Sequence, residues 1–410
     1  MTQARQRLPA LKSGPIVRIR TGPTKPEERA VQNMKIVLVI DQFDDANNGT
    51  TISARRFAAA LREHGNEVRV IATGKPADYK YAVRQMKFFP VVEHLITSQG
   101  MRLAIPNRHV FEKAAAWADV VHFMMPSPLA ITGLRHVERL GIPHTAAFHC
   151  QPENITFTLH MGNSRRANDL LYHGFRDTFF NRFTHIHCPS NMIADQLRRH
   201  GYTAQLHVIS NGISPQYFYD KKPKEDWMQG HFNVLMVGRY AGEKRQDELI
   251  EACAKSRHAK EIQVILAGKG PLEKKYRRLA EKLPNPIVMQ FYEPSRLIEI
   301  LHMADLYVHT SDAEIEAMSC MEAFACGLVP VIADSPRSAT PQFALDGRSL
   351  FPAGDTDALA ARIDYWIEHP EERREMERRY AQHAEQYALV RSIEQTEEMF
   401  RMAIAEQGEK

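Results

Sequence analysis

Asp305 to Asp334 reads DLYVHTSDAEIEAMSCMEAFACGLVPVIAD, and the fold of the chain turns on how this stretch divides. Leu306–His309 is short, apolar and partly β-branched, which predicts a buried strand. A polar turn follows. Ala317, Met318, Met321, Phe324 and Ala325 then recur at helical spacing, and Val329–Ala333 predicts a second buried strand. Gly327 falls where the helix should end, because a glycine takes the left-handed conformation of a helix C-terminus without a Cβ clash. Strand, helix and strand in this order make a parallel unit of an α/β fold. Two acids punctuate it, Glu314 in the turn and Glu322 inside the helix. A helix that starts beyond the C-terminal edge of a strand points its free N–H groups into the crevice where such sheets bind anions. Acids roughly 12 Å apart along its axis suit the two ends of an extended, nucleotide-linked ligand. A solvated Glu314, with Glu322 present for its helix propensity, accounts for the stretch equally well.

The chain has 410 residues, too many for one ordinary core, so two domains are expected. At 44% hydrophobic and 25% charged it has the composition of a soluble globular protein. No apolar run is long enough to span a bilayer, and nothing has the pattern of a signal peptide. Five cysteines, odd in number and scattered through apolar segments, point to reduced thiols in the cytoplasm. A net charge of +4 is too small to mark a nucleic-acid binder, and none is expected.

Working outward, the same β-α rhythm appears twice. In the first half Lys35–Asp41 (KIVLVID) is a strand apolar on both faces. The turn Asn47-Asn48-Gly49 and the helix carrying Phe57 and Leu61 follow, then the strand Glu67–Ala72. The three-glycine dinucleotide fingerprint is absent, which argues against a nicotinamide cofactor. Gly49 lets backbone approach a diphosphate, or is a bare turn glycine. The rhythm resumes with the strand Val120–Met124 and with Ala146–His149, which places His149 at the ligand edge of the sheet. His149, Cys150, His185, His187 and Cys188 match no zinc spacing, so no metal is expected. Tyr217–Gly230 is polar and turn-rich, the expected linker. In the second half Phe232–Val237 leads into Gly238-Arg239-Tyr240-Ala241-Gly242-Glu243-Lys244. Arg239 and Lys244 there flank a flexible turn on the ligand edge, where two cations would neutralise a diphosphate leaving group. The domains so predicted are a basic extension (1–33), a first Rossmann-like domain (34–222), a second (223–388) and a terminal helix (389–410) that crosses back. Met34 opens directly onto a strand and could serve as an alternative start.

Two segments break the rhythm. Tyr79–Ile96 mixes Lys80, Arg84 and Lys87 with Phe88 and Phe89; Gln151–Phe183 mixes Arg165 and Arg166 with Phe179 and Phe180. Each reads as an interfacial segment or as a core helix with its cations reaching out to water.

The second-half motifs VGRYAGEK, LAGKGP and EIEAMSCMEAFACGLVPVIA together resemble the retaining nucleotide-sugar glycosyltransferases of family 4, the glycogen-synthase-like class. The resemblance runs from Lys35 to the C-terminus and includes CPSNMIADQL and VISNGI. It implies the GT-B fold, two doubly wound Rossmann-like domains facing a cleft. It further implies that Gly238, Arg239, Lys244 and the Gly49 turn bind the donor diphosphate, and that Glu322 holds the ribose. Glu314, with Ala317 and Met318 beyond it, would lie beside the reacting sugar, and His149 would hydrogen-bond that sugar. One departure stands out: the family's glycine-phenylalanine-glycine after the first acid is Ile315-Glu316-Ala317 here. NNGTTIS, HCQPENITF and EIEAMSCMEA look most like bacterial enzymes that glycosylate diacylglycerol. The expected activity is therefore retaining, metal-independent transfer of glucose or galactose from a UDP-sugar to a lipid hydroxyl, with no cofactor. The expected place is the cytoplasmic face of an anionic membrane, met through the basic-aromatic residues. Ceramide, phosphatidylinositol or a soluble glycan is the alternative acceptor. A catalytically silent GT-B protein that binds membranes is the rival from another class.

Overall fold

In a computed structural model the chain is described over residues 33–409, apart from 45–48, 90–92, 94–95, 98–99, 159–160 and 162–163. The basic extension and the Asn47-Asn48 turn lie outside the described residues. β1 (Lys35–Val39) carries the reason for its place in its sequence. Ile36 and Leu38 enter one apolar cluster with Phe57 and Leu61, while Val37 and Val39 enter another with Phe111, Leu129 and Phe148. A strand covered on both faces must be central, which is why no polar residue alternates through it.

Around β1 run β2 (Glu67–Thr73), β3 (Lys80–Val83), β4 (Val120–Phe123), β5 (His144–Ala147), β6 (His185–Cys188) and β7 (Gln205–Val208). They pair in parallel in the order β3-β2-β1-β4-β5-β6-β7. The second sheet contains β8 (Phe232–Val237), β9 (Ile262–Ala267), β10 (Val288–Gln290), β11 (Leu306–His309), β12 (Pro330–Asp334) and β13 (Leu350–Pro352). It is parallel too, in the order β10-β9-β8-β11-β12-β13. Each sheet reverses direction once, between β1 and β4 and between β8 and β11, and α/β sheets bind ligands at such switch points. The two sheets are the α/β architecture expected, although β3 and β13 were not foreseen.

The chain passes between the sheets twice, side by side. Ile213 N–H donates to Tyr387 O (2.7 Å), and Leu389 N–H donates to Ile213 O (3.0 Å). Gly212 has φ +77°, and a Cβ there would lie 2.7 Å from Leu389 Cα, so only glycine fits this crossing. The helix Leu389–Gly408 returns to the first sheet, where Met399 and Phe400 join the cluster around Ile36 and Leu38.

Three of the residues expected to meet a membrane are interior instead. Phe179 and Phe180 are fully buried among Phe123, Phe148 and Phe183. Their helical spacing serves the core, with Arg182 turned outward onto Glu138. Lys80 opens the edge strand β3, and its buried Nζ lies 2.7 and 2.6 Å from the carboxylate oxygens of Asp44. No helix among the described residues is long and apolar enough to cross a membrane.

Candidate active site

The loops after β8 and β11 leave the switch point of the second sheet together. The Thr310 hydroxyl is shared between the carbonyls of Lys244 and Arg245, 2.8 Å from each, and so ties one loop to the other. Lys244 Nζ pairs with Glu314 Oε1, and His309 Nε2 approaches the same oxygen at 3.2 Å. The Tyr307 hydroxyl lies 3.2 Å from His309 Nδ1 and 3.1 Å from Ser319 Oγ, which fixes the imidazole. Burial disfavours the charge on Glu314, but Lys244 and His309 outweigh it and hold the carboxyl well below the usual range. It is a carboxylate at neutral pH. Arg239 meets Glu243 at 2.9 Å at the mouth of the same loop, one residue after Gly238. Gly268 and Gly270, in the loop after β9, abut the backbone of Gly238 and Tyr240 with no room for a side chain.

Four residues past Glu314, the helix Met318–Ala325 begins without a side-chain cap. Its Ncap, Ala317, is held at φ 63°, ψ 63°, a left-handed conformation that costs a non-glycine residue about 1 kcal/mol. Strain of this sort gathers at ligand-binding turns. Glu322, one turn into the helix, is buried.

The first domain supplies the opposite face. The helix Gly49–Glu63 starts at Gly49, where no described atom lies within 4 Å of the place a Cβ would take. Thr50 Oγ1 donates to His149 O at 3.5 Å, so the Gly49 turn and His149 stand together. His149 is buried edge-on against His187, with ring centroids 5.2 Å apart. Burial first, then His187 and His122, push its pKa well below the ordinary value, so the ring is neutral. Further along the helix, Arg56 reaches across to Glu322 Oε1 at 2.5 Å, with both side chains largely buried. Burial raises the pKa of Glu322, and Arg56 only partly offsets it. Beside this pair, Ser53 Oγ lies 3.5 Å from Met318 Sδ.

Comparison with known proteins decides what this cleft belongs to. Residues 47–217 match the family model of glycosyltransferase family 4, and residues 219–383 match that of glycosyl transferases group 1. The chain is a GT-B glycosyltransferase of the group 1/family 4 kind. Over 323 residues this glycosyltransferase is 25% identical to a GDP-mannose-dependent α-mannosyltransferase of Mycobacterium tuberculosis, covering 73% of this chain and 79% of that one. It is 48% identical to the catalytic domain of a cholesterol-α-glucosyltransferase from Helicobacter pylori, over 38% of this chain and 99% of that one, with a TM-score of 0.38. Anabaena HepE, solved in complex with UDP and glucose, shares the fold with 18% identity and a TM-score of 0.70, covering 90% of this chain and all of that one.

The glycosyltransferase fold thus brings Gly49, His149, Gly238, Arg239, Lys244, Glu314, Ala317, Met318 and Glu322 to two facing switch points. Arg56, His309 and Tyr307 hold the two acids and were not foreseen. Arg56 is paired 266 positions away along the chain, and no local pattern carries that signal. Among the described residues no group of three or more His, Cys, Asp or Glu side chains is placed to hold a metal ion. Of the basic-aromatic residues, Arg84, Lys87, Arg165 and Arg166 are exposed, Phe88 is half-buried and Phe89 is 86% exposed.

Proposed function

We propose that this glycosyltransferase moves glucose or galactose from a UDP-sugar to a hydroxyl of a membrane lipid, diacylglycerol before ceramide or phosphatidylinositol, with retention at the anomeric carbon. The observation that carries the reading is the group Arg239, Lys244, Glu314 and Glu322 around an uncapped helix N-terminus at the switch point of the second sheet. The two cations and the free N–H groups would take up the charge of the departing diphosphate, the task a metal performs elsewhere. Glu322 would hold the ribose hydroxyls. His149, being neutral, would offer the sugar a hydrogen bond rather than a charge.

The acceptor hydroxyl attacks from the face the leaving group vacates, and its proton passes to a phosphate oxygen of that leaving group. Glu314 is already committed to Lys244 and His309, so it orients and stabilises positive charge developing on the sugar; it neither gives a proton nor forms a bond.

The lipid acceptor is supported by Phe89, an almost fully exposed aromatic with Lys87 and Arg84 exposed on the same segment. Aromatic side chains flanked by cations suit the headgroup layer of an anionic bilayer, here its cytoplasmic face. Leu170 stands 73% exposed on the helix that begins with Arg165 and Arg166. A GDP-mannose donor is the second reading, favoured by the mycobacterial relative.

The test is release of nucleoside diphosphate from UDP-glucose, UDP-galactose and GDP-mannose, with and without anionic vesicles containing diacylglycerol or ceramide. The reading predicts release that needs both a UDP-hexose and the lipid. Phe89→Glu should slow the vesicle-dependent rate roughly tenfold, about the loss of one inserted aromatic. Equal rates without vesicles would remove the lipid; turnover of GDP-mannose alone would replace the donor. UDP binding without turnover would favour a silent binding protein.

A further inference from the structure

Ile315-Glu316-Ala317 stands between Glu314 and the helix N-terminus, where the resembling family has glycine, phenylalanine and glycine. Ile315 is partly buried, and Glu316 and Ala317 are buried. Ile315 packs against the apolar cluster of the first domain, so a loop of the second domain is anchored in the first. Glu316 is 1% exposed, a buried carboxyl that needs partners. Asn211 supplies them: its backbone N–H donates to Glu316 Oε2 at 2.7 Å and its side-chain amide donates to the same oxygen at 2.6 Å. Asn211 immediately precedes Gly212, the residue whose positive φ carries the chain past Leu389 at the crossing between domains. Ser210 completes the set with a side-chain hydrogen bond to the Glu316 carboxyl, while its Oγ also accepts from Gly212 N–H at 3.1 Å.

The carboxyl of Glu316 is therefore spent on the interdomain crossing. Directly after it, Ala317 is held in the left-handed region, a conformation that persists only where its surroundings over-determine it. Glu314, on the other side, takes its backbone place from Arg337 O (3.4 Å) and Ala339 N (2.9 Å), which fix one end of the loop only.

We infer that Glu316 is a positioning residue, which fastens the Glu314–Met318 loop to the crossing at Asn211 and so sets Glu314 and the helix N-terminus over the sugar of the donor. The fastening also makes that placement depend on how the two domains stand, because Asn211 lies between the sheets. The catalytic consequence rests on the donor reading above; the fastening itself does not.

The experiment compares wild type with Glu316→Ala, Glu316→Gln and Asn211→Ala by hydrogen exchange of the peptide spanning 314–318, with no ligand present. Glu316→Ala should speed exchange there by roughly tenfold or more while the sheets stay protected, and Glu316→Gln should lie within about threefold of wild type. Asn211→Ala approaches the same contact from the other side and serves if Glu316→Ala does not fold; it should loosen the same peptide. With a donor in hand, Glu316→Ala should lower kcat roughly ten- to a hundredfold with donor KM changed less than about threefold, and glutamine should restore it. Unchanged exchange in both alanine variants would overturn the inference even if no substrate were found. A raised donor KM at intact kcat would also overturn it, by making Glu316 a ligand contact. A wild type that exchanges as described but turns over no sugar nucleotide would sink the donor reading alone.

Discussion

Replacing Lys244 by methionine keeps the aliphatic stem and removes the cation that pairs with Glu314. Two consequences can be worked out separately. The side chains are 20% and 12% exposed, so the pair is neither a surface salt bridge nor a dry one. Removing one partner of such a pair leaves a poorly solvated carboxylate and should cost about 1–3 kcal/mol of stability, below the 3–5 kcal/mol of a fully buried pair. The effect on catalysis should be larger. A donor aimed at charge that develops in the transition state is worth about 2.7–4 kcal/mol, or roughly a hundred- to a thousandfold in kcat. The pH dependence separates this role from simple misfolding. In the wild type Glu314 is held ionised far below neutrality, so its protonation should not limit kcat/KM on the acid side. Without Lys244, burial pushes its pKa up with only His309 to oppose it, and activity that needs the carboxylate must acquire an acid limb nearer neutrality. The assay is the kcat/KM profile for donor turnover from pH 5 to 8, corrected for folded fraction by circular dichroism. An unchanged rate, or a lower rate with the same profile, would refute the reasoning.

Arg56→Gln should tighten UDP binding by roughly fivefold or more in calorimetry, because the nucleotide then no longer competes with a largely buried ion pair worth at least about 1 kcal/mol for Glu322. Weaker binding would mean that Arg56 is itself a ligand for the nucleotide. His187 is buried and neutral, its pKa pushed down to about 4, while the unfolded chain takes up that proton near 6.5. It therefore withdraws about 3 kcal/mol of stability as pH falls from about 6.5 to 4. His187→Gln should flatten the fall of Tm across that window, and an unaltered slope would show that the ring protonates without penalty. Ala317→Gly relieves the left-handed strain and should raise the urea midpoint slightly, by an amount equal to about 0.5 kcal/mol at most, after the added freedom of the unfolded chain. A lower midpoint would show that the methyl packs usefully.

The two sheets were legible because buried parallel strands are continuous apolar runs, and KIVLVI and NVLMV have no other reading at that length. The ligand edge was legible for a related reason: glycines, cations and acids recur directly after those runs. The misreadings share one cause. Aromatics and cations at helical spacing look alike whether the aromatics face a membrane or a core, and only the presence of Phe123 and Phe148 settles Phe179 and Phe180 as core. Lys80 is decided by Asp44, a partner 36 positions away that no periodicity announces. Glu316 was visible only as a departure from the family pattern. Its carboxyl is in fact engaged by Asn211, which from the sequence was only a turn before a glycine.

Extracting the lipid phase after turnover of UDP-glucose and UDP-galactose with diacylglycerol vesicles, and recording the anomeric proton of the first-formed product by NMR, tests the central claim most directly. The account predicts a single hexose joined to the lipid in α configuration, the configuration of the donor. A β-linked glycolipid, or sugar recovered only in the aqueous phase, would contradict it.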